Sequence, residues 1–330
     1  MSISDLQVAV RAFLVGDRGT VSVSHDPDTV PESDIMGDDR AVFGQGGLDI
    51  DALRETSWAT IGVVVIAGVM AVSLFHLTLP AISDALTPVV DGTGGLVEVT
   101  LLVNLVFVVA IVGGIILRFG DLQPRDIGLV RVDLPLGIGI TAGTWILVQV
   151  TSVAALLLQG ESLALADSVI RVGILPILGG FVGQVLGNAL YEEVVYRAFL
   201  LPQLVKKFTR LSRSGSPRTA FLSALLVSQI VFTLVHVPGR LAGGVEVGNL
   251  PVFLAAPFVL GLLFALVYAR TGNLFVTIGL HALINDPVLL VDAGAVVLVP
   301  LLLVVLAILV AWPWLLTWVG GEESHPEPSP

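Results

Sequence analysis

The chain has 330 residues, of which 55% are hydrophobic and only 13% are charged. A soluble domain carries about 25% charged residues, so this composition and a mean hydropathy of +0.94 exclude an ordinary soluble protein. No cysteine is present, which excludes disulfides, thiolate metal sites and a cysteine nucleophile. The formal net charge is −11 with only two lysines, a balance that favours a halophilic source, such as a halophilic archaeon, and no nucleic-acid partner.

Residues 1–56 are predicted to form an acidic cytoplasmic tail without regular structure. This segment holds eleven acidic residues against four arginines, and most of it is rich in Asp, Gly, Pro and Ser. It has no sustained hydrophobic period of 2 or 3.6 residues. The first long apolar run begins near Trp58, so no signal peptide is expected. A second, short acidic tail is predicted at 321–330.

About eight membrane-spanning helices are predicted between the two tails, because a helix needs roughly 20 apolar residues to cross a bilayer. Their approximate ranges are 58–79, 96–117, 134–158, 172–201, 219–238, 251–269, 273–291 and 294–318. Basic residues concentrate in the loops after the second, fourth and sixth spans. Such loops remain in the cytoplasm, so both termini are predicted to be cytoplasmic. The spans divide into three predicted regions, 57–170, 171–292 and 293–320.

Three polar motifs interrupt the apolar spans of the central region. They are Glu192, Glu193 and Arg197 in the fourth span, Phe232 and His236 in the fifth, and His281 and Asn285 in the seventh. An ionisable group deep in a bilayer costs on the order of 3 kcal/mol or more, so such groups usually mark functional sites. With a rise of about 1.5 Å per residue, the Glu192 carboxylate, the two imidazoles and the Asn285 amide lie near the middle of the membrane at overlapping depths. We therefore expect one polar cavity inside a helical bundle.

Helical spacing indicates which of these side chains face one another. His281 and Asn285 are four residues apart and share a helix face, and so do Glu193 and Arg197. The second pair is predicted to form an ion pair, so that the arginine supports the site. Glu192 is rotated about 100° from its neighbour, which leaves it to face the histidines.

In this order on successive helices, the three motifs resemble those of the CAAX protease and bacteriocin-processing (CPBP) family. That family includes type II CAAX prenyl endopeptidases and Abi-type membrane proteases. The resemblance covers about 170–290 and identifies the region 171–292 as a catalytic core. It implies an intramembrane endopeptidase that acts on a membrane-anchored, in some relatives prenylated, peptide or protein within the lipid bilayer.

The residues of the motifs suit this chemistry. Glu192 is predicted to act as general base on a water molecule, and His236 to orient that water and to protonate the leaving amine. His281 and Asn285 are predicted to donate hydrogen bonds to the developing oxyanion. Phe232 completes the supporting residues. No cofactor is required by this mechanism.

The sequence is compatible with three alternatives to this mechanism or function. Two histidines and a carboxylate can hold zinc, with Glu192, His236 and His281 as ligands, although their spacing differs from the usual zinc-protease motif. Midplane carboxylates and histidines also occur in proton-coupled transporters, but no repeat typical of such proteins is evident. A non-proteolytic scaffold or immunity protein on the same fold is the third alternative.

Overall fold

The computed structural model describes residues 47–211, 216–292 and 297–320. Within these ranges the regular structure is helical, and the only β contact is an isolated antiparallel bridge between Leu165 and Val291. This confirms the predicted all-α class. Most of the predicted N-terminal tail and all of the C-terminal tail lie outside the described residues.

Besides short 3₁₀ turns, the described residues form ten helices. In chain order they are α1 Trp58–Gly92, α2 Val99–Phe119, α3 Leu134–Leu158, α4 Asp167–Val172, α5 Ile174–Leu211, α6 Pro217–Leu234, α7 Val237–Ala242, α8 Leu250–Thr271, α9 Leu274–Asn285 and α10 Leu298–Gly320. Local sequence explains several of their limits. The Ser57 side chain accepts from the N–H of Thr60 at the start of α1, and Ser216 followed by Pro217 starts α6. Gly272, with φ +61°, ends α8.

Six helical segments of the described chain are long and apolar enough to cross a membrane. They are α1, α2, α3, α5, α6 continued by α7, and α8. The protein is therefore a multi-pass membrane protein. Helix α9 has only 12 residues, and the described apolar part of α10 is Leu298–Trp314. The expected total of eight spans and the cytoplasmic position of the termini stay predictions.

The first and seventh predicted spans have wrong limits. Helix α1 was expected to end near 79, but it continues through Pro80 and Pro88 to Gly92. The seventh span was expected to reach 291, but α9 ends at Asn285. Asp286 adopts an extended backbone there, and the proline that follows has no N–H with which to continue the helix. The C-terminal end of α9 is therefore followed by a loop, where another turn of helix was expected.

Glycines allow the helices that carry the polar motifs to pack at short range. A Cβ added at Gly279 of α9 would overlap Thr141 of α3, and one added at Gly261 of α8 would overlap the Arg197 and Phe232 side chains. Small residues at such contacts are the usual means of close helix packing in membranes. The helices around the polar motifs are consequently close to one another.

The last residues of the predicted tail pack against the bundle. The N–H of Leu48 donates to the carbonyl of Ala269 at 3.0 Å, and the N–H of Thr56 donates to Gln203 Oε1 at 2.9 Å. Leu48 and Thr56 are both buried. Residues 47–56 therefore belong structurally with the helices, although their composition resembles that of the tail before them.

Candidate active site

The two glutamates of α5 lie where the helix changes its geometry. Residues Ala189–Glu192 form an α-helical turn, and Glu193–Leu200 continue as π-helix. Such wide turns are rare and frequently occur at functional sites. All residues of the π segment are buried, whereas the Glu192 side chain keeps 15% of its surface exposed.

Glu193 is the centre of a buried charged cluster. Its side chain is fully buried, and Oε2 lies 3.4 Å from Arg197 Nε, so the predicted ion pair is present. Its other oxygen, Oε1, lies 2.6 Å from His281 Nδ1. This second contact was missed from the sequence, because helical spacing within α5 carries no information about α9. Both oxygens of Glu193 are thus engaged by partners.

Arg197 is held between a carboxylate and aromatic rings. Its side chain is 1% exposed, and its guanidinium carbon lies 3.8 Å from the centre of the Phe232 ring. Phe264 is more distant, at 5.9 Å. None of its guanidinium nitrogens has a hydrogen-bond partner among the described residues. The charge is therefore compensated by Glu193 and by the face of the Phe232 ring.

His281 lies between the two glutamates. Its Nδ1 contacts Glu193, and its Nε2 lies 3.7 Å from Glu192 Oε2. The ring also stacks on Phe264, with centroids 4.6 Å apart and planes inclined by 19°. Phe264 was not identified from the sequence, where it is one of many apolar residues in α8. Two partners on different helices therefore determine how the imidazole is oriented.

Asn285 lies one turn after His281 on α9, and its amide nitrogen donates to Gln184 Oε1 at 3.1 Å. Gln184 comes before Glu192 on α5, whereas Asn285 comes after His281 on α9. The two helices α5 and α9 therefore run antiparallel, with side-chain contacts at both places. Gln184 was missed, although a glutamine within an apolar span is a signal that could have found it. The Asn285 side chain is exposed, whereas the His281 imidazole one turn earlier is buried.

His236 lies at the junction of α6 and α7. Its Nδ1 is 2.8 Å from the carbonyl oxygen of Phe232. A carbonyl only accepts, so Nδ1 carries the proton and Nε2 is the remaining acceptor of the neutral ring. One turn later, a Cβ added at Gly239 would lie 2.5 Å from His76 Nε2. His76 of α1 therefore lies against the turn that follows His236.

The structure thus brings most of the sequence-predicted residues into one cluster and places His236 beside it. Glu192, Glu193, Arg197 and His281 form one cluster, with Phe232 over the arginine. His236 joins this cluster through Phe232, whose ring lies 4.8 Å from the imidazole. No described carboxylate lies within 4.0 Å of His236.

This separation bears on the predicted zinc ligands. Within residues 47–211, 216–292 and 297–320, no three His, Cys, Asp or Glu side chains are grouped closely enough to hold a metal ion. Zinc needs at least three protein ligands about 2.0–2.3 Å from the ion. The set Glu192, His236 and His281 does not fit that requirement as it is arranged here.

The fold and the cluster define a multi-pass membrane protein in which α5, α6, α8 and α9 bring charged and aromatic residues together. Residues 174–286 match the family model described as Type II CAAX prenyl endopeptidase Rce1-like. The matched segment contains all three polar motifs, and the match confirms their resemblance to the CAAX protease family, whose members are hydrolases. No curated protein and no solved structure gives a significant match to the chain.

Proposed function

We propose that the protein is an intramembrane endopeptidase that hydrolyses a peptide bond of a membrane-anchored substrate by glutamate-activated water. The observation that carries this proposal is the arrangement of His281 between Glu192 and Glu193. It lies inside the segment that matches the protease family. A prenylated peptide of the CAAX type is the substrate class that the family name suggests.

The surroundings of the two glutamates support different roles for them. Glu193 is fully buried and holds Arg197 and His281, so it orients its neighbours. Glu192 keeps part of its surface accessible, and its oxygen is 3.7 Å from the imidazole. A general base has to reach the proton that it removes. Glu192 is therefore the carboxylate that we assign to the water molecule.

Hydrolysis then proceeds in two steps. Glu192 takes a proton from water while the water oxygen bonds to the scissile carbonyl carbon, which gives a tetrahedral intermediate with a negative oxygen. The carbon–nitrogen bond breaks when the leaving nitrogen receives that proton, either from Glu192 or through His236. The products are a carboxylic acid and an amine, which between them hold every atom of the water, and the acid then gives its proton to the amine.

Two donors stabilise the negative oxygen in this proposal. His281, whose Nδ1 lies 2.6 Å from Glu193 Oε1, offers an N–H from Nε2. Asn285 offers its amide, which the contact with Gln184 positions. One such donor accelerates acyl transfer by about 10²–10³-fold. Asn285→Ala is consequently expected to lower kcat by about a hundredfold and to leave KM nearly unchanged.

The decisive experiment uses the purified full chain in liposomes with a quenched fluorescent prenylated CAAX peptide. Glu192→Gln keeps the size of the side chain but removes the base, and it should abolish cleavage. Glu161→Gln, the same substitution at an exposed loop position, serves as the matched control and should cleave at the wild-type rate. Full activity of Glu192→Gln would overturn the proposal.

The same preparation separates the alternatives. A metal-dependent enzyme would contain bound zinc and lose activity with a chelator, whereas our mechanism requires activity that resists chelation. A proton-coupled transporter would acidify the liposome interior, which a pH-sensitive dye reports. A scaffold would keep its cellular effect after Glu192→Gln.

A further inference from the structure

The loop that follows α9 contains a backbone conformation unfavourable for its residue. Val288 has a φ of +48°, in the left-handed region that a β-branched side chain rarely adopts. It lies three residues after Asn285 and is 7% exposed, so the strain lies in a packed position beside the candidate site. Residues in this conformation persist only where their surroundings hold them.

Two side chains of α3 hold this loop through its backbone. Trp145 Nε1 donates to the carbonyl of Val288 at 3.1 Å, and Gln149 Nε2 donates to the same oxygen at 3.2 Å. Gln149 Oε1 accepts from the N–H of Leu290 at 3.0 Å. A single glutamine therefore bonds to the loop on both sides of one residue, as a neighbouring strand would.

The other edge of the loop is also attached. The N–H of Ala166 donates to the carbonyl of Leu290 at 2.9 Å, and Leu165 bridges Val291. On the side of α9, Asp286 Oδ1 accepts from the N–H of Val288 at 3.2 Å. The loop is thus bound between α3 and the segment before α4, while its first residues continue directly from the end of α9.

We propose that Gln149, assisted by Trp145, is a positioning residue for the reaction. By holding Val288 in its left-handed conformation, it sets the end of α9 and with it the direction of the Asn285 amide. The inference rests on the proposed function, because it gives the position of Asn285 a catalytic consequence. Both α3 residues lie outside the segment 174–286 that matches the protease family.

The test is a rescue experiment on the full chain in liposomes with the prenylated peptide. Gln149→Leu removes both hydrogen bonds and should lower kcat about tenfold with KM changed less than twofold, because small displacements of a positioned group are costly. Glycine adopts a positive φ without strain. Val288→Gly alone should therefore be nearly fully active, and combined with Gln149→Leu it should restore most of kcat.

Controls separate positioning from loss of folding. Gln159→Leu makes the same change at the exposed residue that follows α3 and should leave kcat unchanged. Val288→Asn, which also tolerates the left-handed conformation, is a second rescue variant if glycine lowers the melting temperature. Full activity of Gln149→Leu, or a folded double variant as slow as Gln149→Leu itself, would overturn the inference.

Hydrogen exchange distinguishes this failure from failure of the proposed function. Exchange at 286–291 should accelerate in Gln149→Leu whatever the protein catalyses, because the N–H of Leu290 loses its acceptor. An inactive Glu192→Gln beside a fully active Gln149→Leu would reject only the positioning role. An active Glu192→Gln would reject the catalytic proposal, and the positioning role with it.

Discussion

Two networks of ion pairs stabilise this protein, one in the centre of the bundle and one at its end. In the central network, Glu193 and Arg197 are 0% and 1% exposed, and their charged atoms are 3.4 Å apart. In the terminal network, Glu55 lies 2.5 Å from Lys207 and 2.6 Å from Arg210. The arginine there is 75% exposed. The shorter contacts therefore belong to the network with more solvent.

Burial, more than distance, sets how much stability is lost when an ion pair is broken. Water and ions screen an exposed pair, so its net contribution is small. A buried pair has already lost its hydration, and removing one partner leaves an uncompensated charge. The central network also reaches His281, whereas the terminal one joins residues before α1 to the end of α5. The first network therefore joins two helices that carry the polar motifs, and the second attaches the segment before α1 to the bundle.

The largest expected effect comes from removing the central cation. Arg197→Met keeps the length of the side chain and removes the buried cation beside Glu193, which should lower the free energy of unfolding by about 3–5 kcal/mol. Chemical unfolding in detergent micelles measures the loss. Arg171→Met breaks an exposed pair with Asp167 that has the same four-residue spacing, and it should have no measurable effect. Equal losses in the two variants would contradict the comparison.

A smaller effect is expected from the aromatic partner of the arginine. Phe232→Leu removes the ring face 3.8 Å from the guanidinium, and a desolvated cation–π contact contributes about 2 kcal/mol. The loss of unfolding free energy should therefore be lower than in Arg197→Met. Phe253→Leu, at a side chain that is 47% exposed, is the matched control. Phe232→Leu as stable as that control would mean that the ring does not stabilise the charge.

The smallest effect is expected at the terminal network, where it depends on pH. The hydrogen bond from Lys207 holds the pKa of Glu55 below its ordinary value of 4.5. Such a group stabilises the fold above its unfolded pKa, and this contribution disappears as the pH falls through the lower, folded pKa. Glu55→Gln should therefore cost about 1 kcal/mol or less at pH 7, and the difference from wild type should vanish in acid.

Melting curves between pH 7 and pH 3 test this expectation. Asp51→Asn, at an exposed neighbouring carboxylate, is the control and should follow the wild-type profile. Added salt should also reduce the effect of Glu55→Gln, because one of its two partners is exposed. A difference that grows toward low pH would have the wrong sign and would exclude the assigned ion pair.

Much of the site could be predicted from spacing within single helices. The four-residue interval places Arg197 beside Glu193, and the pair is present. Contacts between helices were not predictable in this way. The bond from His281 to Glu193, the stacking on Phe264 and the bond from Asn285 to Gln184 each join two helices. Periodicity describes one helix and leaves the rotation and axial shift of its neighbours undetermined.

The amino-acid sequence by itself determined the membrane class, the helical architecture and the resemblance to the CAAX protease family, because apolar length and motif order can be read from one chain. Tertiary structure decided which glutamate is enclosed and which stays accessible, and it placed His236 beside Phe232, apart from the contacts between His281 and the two glutamates. The physical reason lies in the packing. The π segments of α5 and the glycine contacts of α8 and α9 set how the helices rotate against one another.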